Sequence, residues 1–244
     1  MKAWLLLALL AASFQAEAGR LAEVQIVDGT SGRALPVHVS NGRYYVAGKP
    51  GKEYAVRVRN RLGEDLLAVV SVDGVNVVSG ETASYDQGGY ILGPRGSFDI
   101  KGWRKSLERV AAFYFSRVED SYAARTGRPE EVGVIGVALF KRKPARQDYD
   151  ADVLSRKEAP AAPQAAERSA AGAAPEPGLG TGHGRNVTSV VRHAEFERAS
   201  ETPEEIIAIY YDSYENLVAR GVIPVARRDP RPFPGCFVPD PPQG

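Results

Sequence analysis

Between Leu21 and about Lys143 the chain is written in short apolar runs broken by Gly, Asn and Asp. AEVQIV (22–27) precedes DGTSG, LPVHV (35–39) precedes SNG, RYYVA (43–47) precedes GKPG, and YAVRVR (54–59) precedes NRLGED. LLAVVSV, VNVVS, GYIL, SFDI, VAAFYFS and VGVIGVALF continue the series. Short β-branched and aromatic runs with turn residues between them are the pattern of a β-sandwich or barrel. In YAVRVR the alternation predicts Tyr54, Val56 and Val58 on one face and Arg57 and Arg59 in water. VGVIGVALF is apolar on both faces and predicts a central strand, while SYAARTGRPEE (121–131) reads as a loop with one helical turn. The expected fold is all-β, a jelly-roll-like two-sheet sandwich over 19–143.

The stretch SVDGVNVVSGE (71–81) is predicted to be a hairpin turning at Asp73-Gly74, because a two-residue type I′ turn needs positive φ at both central positions. Val72 then faces Val75, Ser71 faces Asn76, and Val70, Val72, Val75 and Val77 form the core side. Turn chemistry and edge polarity account for Asp73 and Asn76, which are also kept as candidate ligand-binding residues. One Asp, one Asn and a distant Glu81 fall short of the oxygens that calcium requires.

From 144 to 184 the composition shifts to Ala, Pro and Gly with scattered charge, the pattern of a disordered linker. GLGTGHGR (178–185) lies at its end and reads as a flexible hinge rather than a phosphate loop, since no strand precedes it and no Lys-Ser/Thr follows. Residues 185–225 are expected to form a strand–helix element that docks back on the sandwich or on a partner. RNVTSVVRHAEFERAS supplies the strand. SETPEEIIAIYYDSYENLVARG supplies the helix, with Thr202 as N-cap, Pro203 at the first position, Glu205 closing a capping box and Gly221 as C-cap. In that helix Ile206, Ile207, Tyr210, Tyr211, Tyr214, Leu217 and Val218 share one face. Tyr210, Tyr211 and Tyr214 are the candidate partner-docking residues. A Pro-rich tail (226–244) closes the chain.

At the other end, Lys2, the apolar run Ala3 to Phe14 and Ala16-Glu17-Ala18 have the layout of a secretory signal peptide over 1–18. The mature chain is expected to begin near Gly19 and to be periplasmic or secreted, with no membrane insertion after the signal is removed. The one cysteine, Cys236, cannot make an internal disulfide. With 31 basic against 30 acidic residues, the chain carries no general field for nucleic acid.

The words YAVRVRNR, VSVDGVNVVSGE, GYIL, IKGWRKS, VAAFYF, DSYAARTG and VGVIGVALF, with YYDSYENLVARGVIP, are together similar to a family of uncharacterised exported bacterial proteins. The resemblance covers most of the mature chain. It implies one shared architecture and no chemistry, because no activity is assigned to that family.

Candidate chemistry is sparse. His38, His183 and His193 are the three histidines, and none belongs to an H-E-x-x-H or Cys-His pattern, so no metal or other cofactor is expected. No G-x-S-x-G elbow occurs. Trp103 with Arg104 and Lys105 forms either a sugar-stacking or partner-binding site, or a core cap with solvated bases behind it. A carboxylate pair for glycan hydrolysis can be drawn from Asp73, Glu81, Asp86, Asp99, Asp120 and Glu131. The reading favoured by the sequence is an exported, non-enzymatic binding or structural module of the cell envelope with a protein partner. A carbohydrate-binding module and an envelope glycan hydrolase are the alternatives.

Overall fold

The computed structural model describes residues 19–144 and 178–224. The signal-peptide reading, most of the linker, the Pro-rich tail and Cys236 lie outside the described residues. Within them the chain forms β1 (Ala22–Asp28), β2 (Val37–Ser40), β3 (Arg43–Gly48), β4 (Glu53–Asn60), β5 (Leu66–Val72), β6 (Val75–Asn76) and β7 (Tyr90–Leu92). It continues through β8 (Ser97–Ile100), β9 (Gly102–Arg104), β10 (Arg109–Arg117), α1 (Tyr122–Arg125), β11 (Val134–Lys141), β12 (Leu179–Thr188), β13 (Glu205–Ser213) and α2 (Tyr214–Ala219).

These strands make a two-sheet sandwich. Sheet A has the order β1-β4-β10-β12, with β8 on β4 and β9 on β10. Sheet B has the order β2-β3-β13-β11-β5-β6, with β7 on β5. The period-2 reading holds where it was sharpest. Tyr54, Val56 and Val58 of β4 join the core, while Arg59 is exposed and Arg57 half-buried. Ile135, Val137 and Leu139 of β11 face the same core. On the outer side of β11, Ala138 and Phe140 pack with Leu67 and Val69 in a second cluster that Phe196 covers. As expected, β11 is central, between β13 and β5. The loop 121–131 contains the expected helical turn, α1, capped by Ser121 Oγ accepting the Ala124 N–H at 3.1 Å, and a 3-10 turn at Pro129–Glu131 besides.

Three expectations are corrected, the first being the strand expected over 185–200, which ends at Thr188 with no strand over 189–197. The helix predicted after Thr202 is a strand over its first half: β13 runs from Glu205 to Ser213 and only Tyr214–Ala219 is helical. Paired apolar residues (Ile206-Ile207, Tyr210-Tyr211) satisfy a helical stripe, but they equally suit a strand covered on both faces. Ile207, Ile209 and Tyr211 enter the main core, and Tyr210 packs outside with Tyr45 and Leu217. The cap is Ser213, whose Oγ accepts the Asn216 N–H at 3.1 Å, while Gly221, at φ 71°, follows the helix as predicted. Glu205 closes no capping box; its carboxylate accepts the N–H groups of Arg20 and Leu21, both at 2.6 Å.

The hinge read at 178–185 is strand β12, paired with β10 along Leu179–Thr188. Its glycines answer to packing. A Cβ on Gly180 would lie 2.5 Å from Ser121 Cβ and 2.7 Å from Val132 Cγ1, and one on Gly184 would lie 2.7 Å from the Ala112 carbonyl oxygen. The sandwich expected over 19–143 thus also contains two strands from later in the chain.

Candidate functional site

The 71–81 stretch is the hairpin that the Asp-Gly pair predicts. Ser71 pairs with Asn76 and Val72 with Val75, and φ is 52° at Asp73 and 71° at Gly74. The edge polarity expected for the two polar residues is corrected, because Asp73 and Asn76 are both fully buried. Asn76 holds the following loop: its Oδ1 accepts the N–H of Val78 at 2.7 Å, and its Nδ2 donates to the Gly88 carbonyl at 3.2 Å.

Asp73 is the centre of a polar cluster that joins the two sheets. Its Oδ1 accepts the Gly133 N–H at 3.0 Å and the Tyr211 hydroxyl at 2.5 Å, and its Oδ2 accepts the Thr181 N–H at 2.8 Å. Thr181 Oγ1 lies 2.6 Å from the hydroxyls of both Tyr211 and Tyr54. Three hydroxyls from β4, β12 and β13 therefore run in series to one carboxylate at the β5–β6 turn. Buried polar groups of this kind are retained only when each finds a partner. Burial pushes the Asp73 carboxyl up to about 6, against the opposing pull of the Tyr211 hydroxyl and the Gly133 and Thr181 N–H groups. Burial and the neighbouring Asp73 charge raise both tyrosines well above their ordinary range, so both stay neutral.

Among the described residues, Asp73 is thus the carboxyl with an acid's raised pKa, yet it is fully buried and cannot reach a glycosidic oxygen. The cluster acts chemically as a clasp between sheets. The sequence marked Asp73 and Tyr211 for other roles, placed Tyr54 only on a core face, and did not single out Thr181. Their partners lie 30 to 127 residues away along the chain, so no local spacing signals them.

The remaining candidates are dispersed. Trp103 is 3% exposed, set edge-on to Phe113 at 4.8 Å and tilted against Tyr122 at 4.8 Å, with no free face for a sugar ring. Arg104 is engaged by the Tyr90 hydroxyl at 2.9 Å, the Ser106 carbonyl at 3.2 Å and the Ser189 carbonyl. The tyrosine trio separates: Tyr211 is buried in the clasp, Tyr210 lies outside sheet B against Tyr45 at 5.6 Å, and Tyr214 is exposed at the start of α2. A strand turns consecutive side chains to opposite faces, so a single tyrosine face cannot form.

The described residues form several concave surfaces, two of which lie over the outer faces of the sheets. One is a largely apolar groove of about 460 Å³ outside sheet B, lined by Val69, Ser71, Tyr85, Gly136, Ala138 and Ile206. The other is a polar trough outside sheet A, lined by side chains of β1, β4 and β8. Among the described residues no group of three or more His, Cys, Asp or Glu could hold a metal ion, and no helix is long and apolar enough to cross a membrane.

No family model, no curated protein and no solved structure matches the chain.

Proposed function

We propose that the chain is an exported, non-enzymatic binding module of the cell envelope that holds a protein partner through the groove outside sheet B. One observation carries the reading: Ile206 and Tyr85, 54% and 51% exposed, flank a concave apolar surface. Large exposed apolar side chains around a groove favour an apolar segment of another protein. The arrangement of acids supports the non-enzymatic part, because Asp73, the carboxyl with the raised pKa, is shut inside the clasp. Export is supported by the charged, apolar and small-residue order of residues 1–18.

The test compares the full chain with Ile206→Asp as baits in envelope extract, followed by reconstitution of any shared capture from purified proteins. A partner held by the wild type and released at least tenfold by the variant supports the reading. Equal retention by both baits would remove the groove from the function. N-terminal sequencing of the exported product tests processing, with Gly19 as the expected first residue.

A further inference from the structure

We infer that the outer edge of β12, over residues 183–188, takes an added strand: an extended, acidic segment of a partner protein. The edge belongs to sheet A and is separate from the groove outside sheet B, so the two readings stand or fall independently.

Strand β12 ends the order of sheet A, with β10 on one side and, among the described residues, no strand on the other. Its first half is nevertheless satisfied. The N–H groups of Leu179 and Thr181 turn away from β10 and donate to Asp212 at 3.3 Å and to Asp73 at 2.8 Å. Past Thr181 that cover stops. Among the described residues, no element other than β10 hydrogen-bonds to the main chain of 183–188. His183, Arg185, Asn186 and Thr188 are all exposed. An edge that shows unpaired N–H and C=O groups to water is a template for another extended chain. At about 3.3 Å per residue the open stretch is roughly 20 Å long, the length of an ordinary strand.

Charge chooses among extended chains. Partial burial, and then the nearby Lys105 and Arg125 charges, push the His183 imidazole below its ordinary value. The ring is shelved against Trp103, 6.2 Å away and 10° from parallel, and against Tyr122 at 5.5 Å. Arg109, which pairs with Thr188, adds a further base at the far end of the edge. Lys105, Arg109 and Arg125 are exposed, and none makes an ion pair or a side-chain hydrogen bond among the described residues. The neighbouring acids do not cancel them. Glu119 and Asp120, just before α1, are both held by Arg117, and Glu108 is the one acid of the 105–109 turn. The surplus is positive, so the strand that complements this edge is acidic. The same surplus argues against a second copy of this chain, because pairing β12 with itself would bring two sets of these bases together.

Fluorescence anisotropy of the full chain with a labelled, alternating Thr-Glu peptide tests the edge. A Thr-Lys peptide controls for charge, and a fully N-methylated Thr-Glu peptide keeps the charge but has no backbone donors. The expected result is binding of the unmethylated Thr-Glu peptide alone, weakened at least fivefold in Lys105→Gln/Arg125→Gln. Both positions are exposed, so thermal unfolding of that variant should match the wild type, and the N-methyl comparison uses the wild type only. Absence of binding, equal binding of the Thr-Lys or the N-methylated peptide, or a double variant that binds as well as wild type would each overturn the proposal.

Discussion

Asp73 ties the chemistry of one side chain to the stability of the whole molecule. Its folded pKa of about 6 lies above the ordinary value of 3.8, so the protonated form is favoured by folding. The stability it contributes is fully present below 3.8 and is lost as pH rises through about 6. Between pH 7 and pH 5 that contribution should grow by about 1 kcal/mol. Asp73→Asn removes the titration and places an amide donor against N–H donors, at a cost of about 2–4 kcal/mol. Denaturant unfolding of both proteins should therefore show a gap that widens from pH 7 to pH 5; a gap that stays constant would deny Asp73 its role. Tyr211→Phe takes away the hydroxyl at 2.5 Å and orphans part of the chain to Tyr54, and should cost about 1–3 kcal/mol.

Among the elements, legibility followed how local the cause was. The hairpin at Asp73-Gly74 was readable because a two-residue turn is written in its own residues, and β11 because an unbroken apolar run needs cover on both faces. Strand β13 was hidden, since adjacent apolar pairs score for a helix and only the β-branched and aromatic content of EIIAIYY argues for a strand. Strand β12 was hidden for a different reason. Its glycines look like flexibility until Ser121 and Val132 are brought against Gly180. Gly180→Ala should then cost about 1–3 kcal/mol through overpacking, measured as a lower unfolding midpoint. An unchanged midpoint would mean the strand is looser than its contacts imply. The candidate site was the least legible part, because the groups that Asp73 binds lie 60 to 138 residues further along the chain.

For the molecule as a whole, the decisive feature is where the late strands enter. Strand β13 lies between β3 and β11, parallel to the first and antiparallel to the second, and β12 completes sheet A beside β10. Residues 19–144 alone would leave β3 and β11 without the strand that joins them and the clasp without Thr181 and Tyr211. That fragment should show no cooperative unfolding transition, and added 178–224 peptide should restore one; a cooperative melt of the fragment by itself would contradict the architecture.

The same placement of β13 has a kinetic meaning. A sheet whose middle strand is supplied from more than 150 residues beyond its parallel neighbour cannot close while that segment is still being synthesised. Pairings so remote in sequence form slowly. The nascent polypeptide therefore stays open, with β3 and β11 unjoined, until its last strands have been made.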